Sequence, residues 1–107
     1  NDLEKLVYET NIDANYFNNS NYRHKRYEKT IQMFNTFVLK SFPFHIIARY
    51  MVALSLNKLD RHGEAEEEFC EIARWIKTDP ESKSLYNRFK DRMPELEGYL
   101  ELTCSGI

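Results

Sequence analysis

"LDRHGEAEEEFCEIARW", residues 59–75, has the pattern of an amphipathic helix that follows a short turn. Apolar residues recur at spacings of three and four, which is typical of one helix face, and glutamates fill most of the other positions. The acidic residues come early in this helix, while Arg74 and Lys77 come late, an order that complements the helix dipole. The stretch therefore predicts a surface helix with one narrow buried stripe. The members of that stripe are Ala65, Phe69, Ile72, Ala73 and Ile76.

The segment just before it, "FHIIARYMVALSLNKL" (44–59), has apolar residues around most of its helical circumference. A helix of that kind is buried on more than one side, so it predicts the centre of the molecule. Asp60 and Arg61 are expected to form the turn, because aspartate tolerates the left-handed conformation that short helix connections require. The two helices and this turn predict one helical hairpin.

Helical periodicity continues on both sides of the hairpin. Residues 26–42 carry a second narrow stripe, and residues 2–18 predict a weaker helix. Downstream, Thr78 or Asp79 can cap a last helix that begins near Pro80, with Glu81 at capping-box spacing from Thr78. Pro94 is expected to kink or break that helix. The sequence therefore predicts an all-α fold. The stripe of 26–42 is Tyr27, Ile31, Phe34, Val38 and Leu39.

Composition limits the class of protein. A chain of 107 residues predicts one domain, and 15 basic against 17 acidic residues give no net charge that would attract nucleic acid or an anionic membrane. No apolar run is long enough to span a bilayer. Cys70 and Cys104 have no metal-ligand or redox spacing, so we expect reduced thiols in a cytoplasmic protein. We further expect a monomeric domain that is a fragment of a larger protein.

The two narrow stripes repeat along the chain. Thr30 corresponds to Ala65, Phe34 to Phe69 and Phe37 to Ile72, each 35 residues apart, and Pro43 and Pro80 end the two units. A period near 34 residues built from two helices resembles the tetratricopeptide repeat family. The resemblance implies a short right-handed helical-repeat solenoid of five or six antiparallel helices. Its units would be repeat 1 at about 2–43, repeat 2 at about 44–80, and a C-terminal capping helix at 81–102.

The second unit carries the resemblance best, with Ala53 and Ala65 at the family's small positions and Phe69 at its large one. It departs from the family at Asp60, where a turn glycine is usual, and at Gly63, which lies inside the second helix. The first unit is looser. A five-helix bundle or a related half-a-TPR or HEAT repeat remains an alternative.

The resemblance implies a non-enzymatic adaptor that binds a protein or peptide segment in a concave, partly apolar groove. The family's carboxylate clamp is absent, because Met51 and Leu54 stand where an asparagine would help. A terminal helix of the protein itself is the alternative occupant of the groove. The residues that the family pattern places in the groove are Ile47, Tyr50, Met51, Leu54, Asn57 and Lys58 in the second unit, with Asn15 and Asn19 in the first.

Catalytic, metal and cofactor sites are not expected. His24, His45 and His62 are scattered over different turns without metal-ligand spacing, and no glycine-rich loop could hold a phosphate. The triplet that begins at Asn18, Asn-Asn-Ser, matches the acceptor for N-linked glycosylation, although such triplets also arise by chance.

An RNA-associated adaptor is the alternative function. "YRHKRYEK" (22–29) combines four basic residues with two tyrosines that could stack on bases. A polar turn that opens a helix explains the same residues, and four charges give only modest salt-dependent affinity. Nucleic acid is therefore not the expected partner.

Overall fold

The computed structural model of the chain describes residues 12–101 and 104, and the start of the predicted helix 2–18 lies outside this part. The described residues contain helices and no strands, which confirms the all-α prediction. None of these helices is both long and apolar enough to cross a membrane. The helices are α1 (helical residues 12–17), α2 (Ser20–Arg23), α3 (Tyr27–Phe34), α4 (Ile46–Lys58), α5 (His62–Thr78), α6 (Pro80–Phe89) and α7 (Glu95–Glu101).

Helix α4 is the centre of the fold, as its all-round apolar pattern predicts. Nine of its 13 residues are buried, and it packs most extensively between α3 and α5. The buried Ser55 hydroxyl donates to the Met51 carbonyl oxygen at 2.8 Å, so its polar group is satisfied within the helix.

The turn between α4 and α5 is formed as predicted around Asp60, whose φ is 59°. The Asp60 N–H donates to the Asn57 carbonyl oxygen at 3.1 Å, and the Arg61 N–H donates to the Leu56 carbonyl oxygen at 2.9 Å. This pair of bonds is a Schellman motif, which satisfies carbonyls that the helix end would leave free. It turns the chain directly into α5.

Helix α5 presents its predicted stripe to the core. All five stripe residues are buried, while Glu64, Glu66 and Glu67 are exposed. Phe69 is 1% exposed and lies between two rings, with centroid distances of 6.0 Å to Tyr50 and 5.1 Å to Tyr99. The inward and outward faces of this helix follow the sequence pattern.

Helices α6 and α7 cover the core from the C-terminal side. Asp79 caps α6, because its Oδ2 accepts from the Ser82 N–H at 3.0 Å and from the Ser82 hydroxyl at 2.7 Å. Thr78 instead donates its hydroxyl to the Arg74 carbonyl oxygen at 2.9 Å, so the capping-box prediction for Thr78 is wrong. Before Pro94 the chain leaves α6 and passes through a short 3₁₀ turn, Lys90–Arg92, as the predicted break requires.

Of the three residue pairs matched between α3 and α5 in the repeat pattern, two agree in burial. Thr30, Ala65, Phe34 and Phe69 are all buried, but Phe37 is 76% exposed while its counterpart in α5 is fully buried. A π-helical turn, Asn35–Leu39, follows α3 and explains the difference. Because a π-helical turn has more residues than an α-helical turn, the side chains after it are rotated about the helix axis. Phe37 therefore points outward, while Val38 and Leu39 point into the core. The third match was therefore wrong.

The two cysteines form a disulfide, and the expectation of reduced thiols was wrong. Cys70 in α5 is bonded to Cys104, with their Cα atoms 5.8 Å apart. Helix α7 packs along α5 and returns the chain to this position. The two cysteines are 34 positions apart in the sequence and show no spacing signal, so only the packing of α7 reveals the pair.

Candidate functional site

The predicted groove is closed over half of its length. Ile47, Tyr50 and Met51 are buried in the core. The Tyr50 ring lies 6.1 Å from the Phe17 ring of α1, and its hydroxyl donates to Glu95 Oε1 at the start of α7. Other parts of the same chain therefore cover this end of the face.

The second half of the predicted groove remains open. Leu54, Asn57 and Lys58 line one cavity of about 450 Å³, which is called here the groove cavity. Asn57 Oδ1 lies 2.9 Å from His62 Nδ1, while Lys58 is exposed and makes no ion pair with the described residues. The lining is completed by Tyr22, His62 and Glu95.

Burial sets the protonation of the tyrosines beside the groove cavity. It raises the pKa of Tyr50, and the hydrogen bond to Glu95 raises this pKa further. Burial likewise raises the pKa of Tyr22, with smaller contributions from Tyr27 and Glu95. Both hydroxyls therefore stay protonated at neutral pH, and that of Tyr50 donates to Glu95.

The two predicted groove asparagines of the first unit lie elsewhere. Asn15 is exposed on α1, and Asn19 caps α2 by accepting from the Tyr22 N–H at 3.1 Å. Neither lines the groove cavity. The structure thus brings together three of the eight predicted groove residues at an open surface.

A second cavity, which the sequence patterns did not predict, lies beside the loop before α4. It has a volume of about 330 Å³ and is called here the aromatic cavity. Phe42 and Phe44 line it and are 64% and 63% exposed. The remaining lining residues are Ser41, Pro43, His45, Asp79, Glu81, Ser82 and Leu85.

The loop that carries the two phenylalanines is anchored on both sides. The Phe44 ring meets the Trp75 ring at 4.9 Å, and the Arg49 guanidinium lies over Trp75 at 5.2 Å while its Nε donates to the Pro43 carbonyl oxygen. Arg49 is itself held by Glu68 at 3.2 Å. These contacts fix the loop while the two phenylalanine rings remain exposed.

His45 joins this loop to α1 and α4. Its Nδ1 accepts from the Ala48 N–H at 3.3 Å and caps α4. The proton of a neutral ring is then on Nε2, which donates to Asp13 Oδ1 at 3.0 Å. His45 therefore has a structural role at the edge of the aromatic cavity.

The polar side of the aromatic cavity is acidic. Asp79 and Glu81 contribute carboxylates, and among the described residues no lysine or arginine lines the cavity. The arrangement suits a cation attached to an apolar group. The sequence did contain a signal for this surface, since Phe42 and Phe44 flank Pro43.

The basic turn at 22–29 is exposed, but its aromatic rings are engaged. Tyr22 and Tyr27 pack edge to face at 5.5 Å. Arg26 donates from Nε to Asn21 Oδ1 at 3.0 Å, and the carboxylate of Glu28, at the start of α3, lies 3.5 Å from the Arg61 guanidinium. The rings thus pack on each other at the position where a base would have to stack.

The described residues contain no group of three or more side chains suited to hold a metal ion. Comparison with known proteins found no matching family model, no matching curated protein and no matching solved structure. The resemblance to tetratricopeptide repeats therefore depends on the spacing of Ala53, Ala65, Phe69 and their counterparts.

Proposed function

We propose that this chain is a non-enzymatic protein-interaction domain whose contact surface is the aromatic cavity. The partner segment is a peptide or helix that inserts an apolar side chain between Phe42 and Phe44 and carries a lysine or arginine next to it. The observation that carries the proposal is the pair of phenylalanines, nearly two-thirds exposed, at a cavity with an acidic side.

The apolar contribution is substantial. Burying an exposed phenylalanine side chain is worth roughly 1.5–3 kcal/mol, and aromatic residues are enriched at the centres of protein interfaces. Phe44 is already held against Trp75, so it loses little conformational freedom when a partner binds. A cavity of about 330 Å³ has room for an anchoring side chain.

The charge of the lining selects the partner. A cationic residue beside the anchor would face Asp79 and Glu81 without meeting a lysine or arginine of the lining. Exposed ion pairs contribute only about 0.2–1 kcal/mol each, so their main effects are on partner choice and association rate. An acidic segment would be repelled.

The helical-repeat hypothesis supports the same class of function. The α4–α5 hairpin, with its Schellman turn and buried small residues Ala53 and Ala65, is similar to a repeat unit of that family. Contacts with α1 and α7 fill the inner face at Tyr50, so the groove of the family is closed there, and we assign the partner to the aromatic cavity.

A displayed library of random peptides, selected on the immobilised chain, tests the proposal. We expect enrichment of sequences in which an aromatic or aliphatic residue adjoins lysine or arginine. The double variant Phe42→Ser/Phe44→Ser should bind the selected peptides at least tenfold more weakly while it stays folded, with only the small loss of melting temperature that the missing Phe44–Trp75 contact causes. Phe37→Ser is the matched control, because Phe37 is also exposed, at 76%, but does not line the cavity.

Other results would overturn the proposal. Peptides that resist the double change but are lost with Leu54→Glu would assign binding to the groove cavity. A single-stranded oligonucleotide bound with steep salt dependence, and lost with Arg26→Ala, would favour the RNA alternative. Self-association that disappears in the double variant would make a second copy the occupant.

A further inference from the structure

Two features outside the aromatic cavity are both typical of proteins that enter the secretory pathway. One is the Cys70–Cys104 disulfide, and the other is the glycosylation acceptor triplet Asn18–Ser20. We propose that Asn18 carries an N-linked glycan, added in the oxidising compartment where the disulfide forms. This proposal is independent of the function proposed above.

The disulfide supplies the first support. Disulfides form and persist in secreted proteins and in the lumen of the secretory pathway, and they are rare in the cytosol. Cys70 is buried and lies in the centre of α5, so the bond with Cys104 is part of the packed fold. N-linked glycosylation takes place in the same lumen, on Asn-X-Ser/Thr triplets.

The geometry of Asn18 supplies the second. Asn18 is exposed in the turn between α1 and α2, where its backbone N–H donates to the Asn15 carbonyl oxygen at 3.1 Å. Its side chain makes no hydrogen bond with the described residues. The neighbouring asparagines differ, because Asn19 Oδ1 accepts from the Tyr22 N–H and Asn21 Oδ1 accepts from Arg26 Nε. Asn18 thus presents a free amide to solvent.

The hydroxyl that completes the triplet is also accessible. Ser20 is exposed at the first position of α2, a helix of four residues with no buried residue. The middle residue, Asn19, is not a proline and is compatible with an acceptor triplet.

The reaction is a transfer from a polyprenyl-diphosphate-linked oligosaccharide. A bond forms between Nδ2 of Asn18 and C1 of the first sugar, and the bond between C1 and the phosphate oxygen breaks. The polyprenyl diphosphate leaves with the bonding electron pair, and Nδ2 releases one of its two protons. No oxidant or reductant is needed.

The test is expression of the 107-residue chain behind a cleavable secretion signal in yeast, with the intact mass measured on total cell and medium protein. We expect a mass increase that peptide N-glycosidase removes, converting Asn18 to aspartate. The Asn18→Gln and Ser20→Ala variants should lose the increase, and Ser20→Thr should keep it. Asn19→Gln is the matched control, since it retains the acceptor triplet.

An unmodified mass for the unaltered chain would overturn the proposal, as would an increase that persists in Asn18→Gln. Circular dichroism of each variant separates loss of the acceptor from loss of the fold. Since Asn18 is exposed, we expect Asn18→Gln to retain the helical spectrum.

Discussion

Phe69 and Glu67 show how position on one helix decides the importance of a single residue. They are two positions apart on α5, yet Phe69 contacts two aromatic rings in the core and Glu67 is exposed. Residues two apart on a helix do not share a face. The neighbours Thr78 and Asp79 also differ in role, because Asp79 caps α6 whereas the Thr78 hydroxyl donates back into α5.

We expect Phe69→Ala to lower the free energy of unfolding by about 3–5 kcal/mol, because it leaves a cavity in a packed core. Glu67→Ala is the control on the same helix and should change it by less than about 0.5 kcal/mol. Urea denaturation followed by circular dichroism measures both. Equal midpoints for the two variants would contradict the assigned faces of α5.

Tyr50 makes stability depend on pH in the alkaline range. Burial and the hydrogen bond to Glu95 raise the pKa of Tyr50 above its ordinary value of 10.0. Above about pH 10 the unfolded chain loses this proton and the folded chain keeps it, so stability falls as pH rises, by up to about 1.4 kcal/mol per pH unit. Below the ordinary pKa the contribution is fully present.

Removing the hydroxyl isolates this contribution. Denaturation midpoints of Tyr50→Phe measured between pH 8 and 11 should fall less steeply above pH 10 than those of the unaltered chain. Below pH 9 the two curves should run parallel. An unchanged slope above pH 10 would show that Tyr50 titrates normally in the folded chain.

At the scale of the element, the start of α6 depends on one carboxylate. Asp79 accepts two hydrogen bonds from Ser82, so Asp79→Ala should destabilise the fold by about 0.5–2 kcal/mol. Thr78→Ala is the matched control and should have a clearly smaller effect, because its hydroxyl only donates back to Arg74 within α5. Thermal melts compare the two variants. A larger fall in melting temperature for Thr78→Ala would show that Thr78, and not Asp79, caps α6.

The disulfide ties α5 to the chain beyond α7. A cross-link that closes a loop of this length typically stabilises by about 2–4 kcal/mol. We expect Cys104→Ala to lower stability by that amount in non-reducing buffer and to match the unaltered chain under full reduction. Guanidinium denaturation under both conditions is the measurement. If Cys104→Ala were as stable as the oxidised unaltered chain, the disulfide would contribute nothing to the free energy of unfolding.

At the scale of the whole molecule, the C-terminal helices complete the core. Phe89, Met93 and Leu96 are buried, and α6 and α7 both pack on α5. A chain that ends at residue 79 should therefore lose cooperative melting and bind a hydrophobic dye. The control is a chain that ends at residue 101, which lacks Cys104 but keeps both helices. If both truncated chains melted with similar cooperativity, α6 and α7 would not be part of the core.

Several features of the fold could be predicted because they depend on residues close together in the chain. The periodicity of 59–75 determines which face of α5 is buried, and Asp60 and Pro80 determine where helices turn and begin. The all-round apolar pattern of α4 likewise determines its central place. Each of these depends on local backbone geometry and on the helical repeat of 3.6 residues.

The tertiary structure alone decided what depends on residues far apart. Helices α1 and α7 covered Tyr50, and the return of the chain along α5 joined Cys70 to Cys104. The π-helical turn that rotated Phe37 outward is local, but no sequence pattern predicted it. The aromatic cavity likewise needs the loop before α4 and the start of α6 to meet. An apolar stripe shows that a helix face is buried, but it does not show which other helix covers that face. The covering helix is selected by how the side chains of all the helices pack together.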